Sequence, residues 1–172
     1  RQLEAFGSHA YRRLDLTNGY FEYGSWLWPQ FIVERWGWET LREIWHTWSG
    51  GALPMLAAAA VVLEEAESLH EAPLMASRPD AGVLDAAVLE WATRNVLLGE
   101  EQAVPGHQHA RGAELPAVIR AEGSVGQFPL SGLAPEPTRQ PEPLGASYVF
   151  FNPQAGSADN VLIVELSASP GL

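Results

Sequence analysis

The sequence predicts an α+β protein, in which an N-terminal helical layer of about four helices precedes a β-rich, sandwich-like region. Before Val104, apolar residues recur at three- and four-residue steps, which places them on one face of a helix. After Val104, seven prolines lie between positions 105 and 143 together with several glycines, a composition that regular helices do not tolerate.

These observations divide the 172-residue chain into three parts. Residues 1–104 form a helical domain. Residues 105–143 form a Pro/Gly-rich connection, with one candidate short strand. Residues 144–172 form strands of an incomplete or shared sheet.

The helical part contains four periodic segments with recognisable ends. Gly37 is a candidate C-cap, because glycine adopts the left-handed conformation at little cost. Pro54 suits the first turn of a helix, where its missing N–H is not needed. Asp80 is a candidate N-cap, since its carboxylate can accept from the first free amides. The expected helices cover residues 23–35, 39–48, 53–73 and 80–98.

The strands are expected at residues 146–151 and 161–167, with a shorter one at 115–121. The first two segments are rich in aromatic and β-branched residues, and turn-forming residues lie between them. Two or three strands make at best an incomplete sheet. We therefore expect them to complete a sheet elsewhere, or to be followed by more chain.

The tryptophans are concentrated in the first two predicted helices. Trp26, Trp45 and Trp48 fall on the apolar stripes, so we expect them in the core. Trp28 and Trp38 fall off the stripes, which makes them the candidates for an exposed, interacting role. Carbohydrate binding by these two residues ranks lower, because no polar clamp accompanies them.

Charge argues against two classes of partner. The formal net charge is −11, from ten arginines, no lysine and 21 acidic residues. Both sides of Val104 are acidic, with 7 Arg against 15 acids before it and 3 against 6 after it. Neither half offers the basic surface that nucleic acid or an anionic membrane requires. The longest apolar run has eleven residues, whereas a membrane-spanning helix needs about 20.

The sequence contains no complete catalytic or metal-binding motif. His107 and His109 are two positions apart, so on a strand both imidazoles would point to one side and could share a metal ion. The alternative is a solvated loop, because no third ligand lies at a suitable spacing. Glu64, Glu67 and Glu71 share a helix face, which we interpret as solvated rather than catalytic or calcium-binding. There are no cysteines.

Several runs within residues 20–100 together resemble a known family. They are similar to the helices that follow the zinc site in a family of secreted bacterial metallopeptidases of the gluzincin type. The runs are Tyr23-Gly24-Ser25-Trp26-Leu27-Trp28-Pro29-Gln30-Phe31, Glu34-Arg35-Trp36-Gly37, Leu41-Arg42-Glu43-Ile44-Trp45 and Trp91-Ala92-Thr93-Arg94-Asn95.

The resemblance implies a scaffold without its catalytic centre. In that family a His-Glu-x-x-His helix and a later glutamate hold zinc, and both precede the matched helices. Neither occurs in this chain, so no zinc ligand is carried over. Since the chain starts at Arg1 and not Met, we expect an upstream segment. We expect bound zinc only if that segment is catalytic. A relative that has lost the metal is the other explanation.

Two functions follow as expectations. The first is a non-catalytic C-terminal portion of a secreted zinc-metallopeptidase-like protein, scaffolding a cleft supplied by upstream residues. The alternative is an extracellular structural or protein-interaction subunit of a larger assembly, with no enzymatic activity. Both place the chain outside the cell or in the cell envelope. Both also give it a protein partner, or the upstream part of its own polypeptide. The sequence leaves open whether the parent protein is an enzyme.

Overall fold

A computed structural model describes residues 26–74, 82–99, 109–117, 123–125 and 149–151. This part of the chain is mainly helical, and helices that are consecutive along the chain pack against each other. The four α-helices are α1 (Leu27–Trp36), α2 (Trp38–Ser49), α3 (Met55–Ser68) and α4 (Val83–Val96). A 3₁₀ turn, Gly112–Glu114, follows α4.

Glycine and proline set the helix boundaries largely as the sequence indicates. Gly37, at φ 89°, separates α1 from α2, and its N–H donates to the Val33 carbonyl oxygen at 2.9 Å. A side chain at this positive φ would be strained. Pro54 lies one position before α3, as its N-cap. The predicted N-cap Asp80 lies outside the described residues, and α4 begins after Gly82.

The core is built on an aromatic cluster between α1 and α4. Trp28 stacks on Phe31 with ring centroids 5.7 Å apart, and it meets Trp91 edge-on at 5.6 Å. Aromatic pairs in these geometries contribute beyond the area that they bury. The small side chains of α3, such as Ala58 and Ala59, are also buried and allow close helix packing.

The predicted sandwich-like β region is wrong for the described residues, which form a helical fold. Two three-residue strands, β1 (Gly123–Val125) and β2 (Val149–Phe151), pair in parallel. A sandwich requires two sheets packed face to face. Residues 115–117 are not a strand, and the predicted strand at 161–167 lies outside the described part. Aromatic and β-branched composition favours extended backbone, but it does not supply the neighbouring strands that a sheet needs.

The prediction of which tryptophans are buried is also wrong at four of the five positions. Trp28 is only 4% exposed, although its position suggested the surface. Trp26, Trp45 and Trp48, predicted to be core residues, are 40%, 49% and 40% exposed. Because α1 is apolar over a wide face, its stripe alone does not show which side meets α4. Trp38, at 71% exposed, lies at the surface as expected.

Within the described ranges, none of the helices combines the length and the apolar character needed to cross a bilayer.

Candidate functional site

A buried polar cluster joins α1, α4 and the segment that begins at His109. Glu34 comes from α1, Arg94 and Asn95 come from α4, and His109 follows the stretch of undescribed residues after α4. Asn95 and His109 are each 1% exposed. Buried polar groups of this kind are retained in folded proteins only where they bind one another or another ligand.

Arg94 lies between two carboxylates. Its guanidinium is 2.8 Å from Glu90, one turn earlier on α4, and 3.6 Å from Glu34 Oε2 on α1. It also lies over the Phe31 ring, 5.0 Å from the ring centroid. The shorter distance shows that Arg94 is directed mainly at Glu90, with Glu34 as a more distant charge partner.

His109 fixes its segment to both helices. Its Nε2 is 3.0 Å from Asn95 Oδ1, and its Nδ1 is 3.4 Å from Glu34 Oε2. The neighbouring Ala110 N–H donates to Glu34 Oε1 at 3.1 Å. A loop segment is therefore held against α1 and α4 by one imidazole and one backbone amide.

A cavity of about 260 Å³ opens beside this cluster. Its lining includes Gln30 and Glu34 of α1 and Trp26, the residue before the helix, which follow each other at intervals of four residues. His109 and the Arg111–Glu114 ion pair also line the cavity. The cavity is smaller than the roughly 300–1,000 Å³ of a typical small-ligand pocket.

The surroundings of Glu34 favour its ionised form. Burial raises the pKa of this carboxyl, but its interactions with His109, Gln30 and the Ala110 N–H together outweigh burial and lower the pKa. Gln30 Nε2 donates to Oε1 at 2.9 Å. The net result is a carboxylate inside the cavity that stays charged below the ordinary range for glutamate.

This lowered pKa predicts a pH-dependent contribution to stability. A carboxyl whose pKa is lower in the folded state stabilises the fold above its unfolded pKa, and the effect is lost as pH falls through the folded value. Glu34→Gln should therefore destabilise the protein at about pH 7, and the difference from wild type should shrink towards about pH 3. Urea unfolding at both pH values measures it. Glu39→Gln, at an exposed position of α2, is the matched control; an equal Glu34→Gln deficit at both pH values would contradict the assignment.

A second polar cluster also lies at the C-terminal end of α1, where Arg35 and Trp36 follow Glu34. The Glu67 carboxylate on α3 accepts from Arg35 at 3.1 Å, from the Trp36 indole N–H at 2.9 Å and from the Leu74 amide at 2.9 Å. The side chains of Glu67 and Arg35 are 13% and 10% exposed. This cluster ties α1 to α3 and to the segment after it, and it makes Glu67 structural rather than part of a solvated face.

The predicted site residues are found in separate places. His107 lies outside the described residues, and His109 lies in the buried cluster. Among the residues that the structure describes, no group of three or more His, Cys, Asp or Glu side chains is arranged to hold a metal ion. Trp28 is in the core and Trp38 is at the surface. Zinc binding by the histidines and an interacting role for Trp38 stay predictions.

Sequence reasoning missed Glu34 and Asn95 as members of a site. Glu34 is followed by Arg35 and Asn95 is preceded by Arg94, so each lies in a polar stretch and no local signal marks it as a buried residue. Their contacts with His109 join residues far apart along the chain, so periodicity within one helix does not reveal them.

The third feature is the tryptophan face of α2, formed by Trp38, Trp45 and Trp48. Trp45 and Trp48 meet edge-on with centroids 5.1 Å apart. Ile44 is the one side chain of α2 that is fully buried. Most of this amphipathic helix therefore faces away from the core, and its large aromatic side chains remain accessible.

Comparison with family models, with curated proteins and with solved structures gives no match to this chain. The metallopeptidase resemblance accordingly rests on the sequence runs alone.

Proposed function

We propose that this chain is a non-catalytic helical scaffold that binds another polypeptide segment through the tryptophan face of α2. The observation that carries the proposal is the exposure of Trp38, Trp45 and Trp48, at 71%, 49% and 40%. Tryptophan is enriched at protein interfaces, where it contributes large contact areas. Trp45 and Trp48 contact each other, and contiguous exposed apolar residues are typical of interaction sites.

The charges beside this face permit a specific contact. Glu39 and Arg42 form an exposed ion pair within α2, and Glu43 adds a further acidic group. An apolar centre with charged residues at its edge is the usual arrangement of a protein interface. The partner is therefore a polypeptide with an apolar surface, rather than nucleic acid.

The family resemblance supports one identity for the partner. Trp45 and Ile44 belong to a matched run, and in that family the catalytic segment precedes these helices. In this proposal the partner segment is the zinc-binding part of a secreted metallopeptidase-like protein, and the present chain supports the cleft. A separate extracellular subunit is the second candidate, because the tryptophan face would serve it equally well.

Site-specific photocrosslinking in the native host tests the proposal. A benzophenone amino acid is placed at position 38 or 45, and the matched control carries it at position 64, which is exposed on α3. We expect positions 38 and 45 to crosslink to one common polypeptide segment, and position 64 not to. Peptide mass spectrometry then identifies that segment.

The result separates the two candidates. A crosslinked segment that contains, or is continuous with, a His-Glu-x-x-His helix supports the metallopeptidase-like scaffold. A segment from an unrelated polypeptide supports the separate subunit. Equal crosslinking from all three positions, or none from positions 38 and 45, would contradict docking through this face.

A further inference from the structure

We propose that the tryptophan face of α2 binds a basic amphipathic α-helix, whose apolar side chains recur at three- and four-residue steps with Lys or Arg beside them. The inference rests on the proposed function, because it gives the secondary structure and the charge of the segment that docks there. Docking through this face can hold when the inference fails, since a strand or an acidic helix would also cover the tryptophans.

Together with Leu41, the tryptophan face forms a strip with the periodicity of a helix–helix seam. Its members are separated by three, four and three residues: Trp38, Leu41, Trp45 and Trp48. This spacing places them along one side of an α-helix, and ten residues correspond to a length of about 15 Å. A second helix lying along α2 can contact such a strip over its whole length through its own i, i+3, i+4 and i+7 positions.

The apolar area favours a single helix over a second copy of the chain. The exposed fractions of the three tryptophans, 71%, 49% and 40%, are equivalent to about one and a half free side chains, or roughly 250–400 Å². A stable dimer interface buries about 800 Å² on each partner, so the tryptophans supply at most about half of what it needs. Two copies would also each bring a net charge of −11, which opposes their association.

The charges on α2 and α3 determine the sign of the partner. The two helices together contain five glutamates and one arginine. The arginine, Arg42, is paired with Glu39 on the same helix. Glu43, Glu64 and Glu65 are exposed and make no ion pair within the described part of the chain. The surface of these two helices is therefore acidic, and the complementary partner is basic.

Glu64 and Glu65 lie towards the end of α3 that meets the start of α2. The link is Glu67, whose carboxylate accepts from the indole N–H of Trp36, two residues before α2, at 2.9 Å. Charges at this end act on a partner over about 8–10 Å, the screening length near physiological salt. They therefore attract a Lys or Arg flank and repel an acidic one without direct contact, and position 64 remains outside the docked helix.

Peptide binding to the intact chain tests the inference. The probe is a peptide of about three heptads with Leu at the a and d positions, Lys at e and g, and Ala elsewhere. One control peptide carries Glu in place of Lys, and a second has the composition of the probe in an order without helical periodicity. Calorimetry gives the affinities, and the tryptophan emission of the chain reports burial, since the peptides contain no tryptophan.

We expect saturable binding of the Lys peptide with a shift of the tryptophan emission to shorter wavelength, and binding of both controls weaker by about tenfold or more. Equal affinity for the Lys and Glu peptides would overturn the basic partner. Equal affinity for the non-periodic peptide would overturn the helix, and no binding of any peptide would overturn both. In each of these cases the crosslinking experiment still decides separately whether the tryptophan face docks a polypeptide.

Variants locate the bound peptide. Trp38→Ala and Trp45→Ala should each weaken binding of the Lys peptide by about tenfold or more. Leu89→Ala is the matched control, because it removes an apolar side chain that is 46% exposed on α4, and it should bind like wild type. Wild-type affinity in both tryptophan variants would place the peptide elsewhere and refute the inference.

The contribution of charge is measured in the same assay. Glu64→Gln combined with Glu65→Gln should weaken binding of the Lys peptide by about two- to threefold and reduce its dependence on salt. Asp85→Asn, at an exposed position of α4, should leave both unchanged. If the glutamate variant bound like wild type, the charge of α3 would not select the partner.

Sedimentation of the chain without peptide tests the competing occupant, a second copy. We expect a monomer at micromolar concentration, in line with the small apolar area and the high net charge. A dimer that Trp45→Ala dissociates would show that a second copy fills the tryptophan face, and it would overturn the inference.

Discussion

Replacement of Trp28 by alanine is expected to lower the free energy of unfolding by about 3–5 kcal/mol, because the change leaves a large cavity in the core. Trp28 is 4% exposed and contacts the rings of Phe31 and Trp91. The same replacement at Trp38, which is 71% exposed, should cost less than about 1 kcal/mol. Urea unfolding followed by far-ultraviolet circular dichroism measures both variants against wild type.

Comparison of Trp28→Ala with Trp38→Ala is informative because both residues are tryptophans on neighbouring helices. A general dependence on tryptophan would lower stability in both variants by similar amounts. Trp45→Ala adds an intermediate case, since this residue is 49% exposed. If Trp38→Ala were as costly as Trp28→Ala, Trp38 would have to be covered in the isolated chain, and the tryptophan face would not be free for a partner.

The helices were predictable because their signals are local. The periodic segment at residues 39–48 corresponds to α2 (Trp38–Ser49), with errors of one residue at each end. Gly37 and Pro54 act through their own backbone restrictions, which require no knowledge of distant residues. The third helix stops at Ser68 rather than near Pro73. There the chain turns away so that Leu74 can be buried and can donate to Glu67.

The choice of buried face depends on neighbours, and the sequence pattern does not contain them. The wide apolar face of α1 left two choices for its inner side. Packing of Trp28 against Trp91 on α4 selects one of them and leaves Trp26 partly exposed. Amphipathicity therefore predicts that a helix has an inner side more reliably than it predicts which residues form it.

The polar cluster was less predictable for the same reason. His109 was a candidate from its spacing to His107, but its partners Glu34 and Asn95 belong to two different helices. The contact between Ala110 and Glu34 spans 76 positions. A buried charge becomes favourable only when such partners are assembled, so its burial is a property of the tertiary fold rather than of the local sequence.

Replacement of Glu67 by alanine is the second change expected to have a large effect, about 3–5 kcal/mol of stability. The carboxylate has three donors: Arg35, the Trp36 indole and the Leu74 amide. Its removal leaves a guanidinium that is 10% exposed without this partner. Breaking one side of a buried pair costs more than the pair itself contributes, because the remaining charge stays desolvated.

Glu64 and Glu65 provide matched controls, since both are exposed on the same helix as Glu67. Alanine at either position should change stability by no more than about 0.5 kcal/mol. Glu67→Gln should fall between these limits, because an amide oxygen still accepts a hydrogen bond but carries no charge to pair with Arg35. If alanine were tolerated equally at all three positions, the three glutamates of α3 would form a solvated face. The link between α1 and α3 would then have to reside in apolar packing alone.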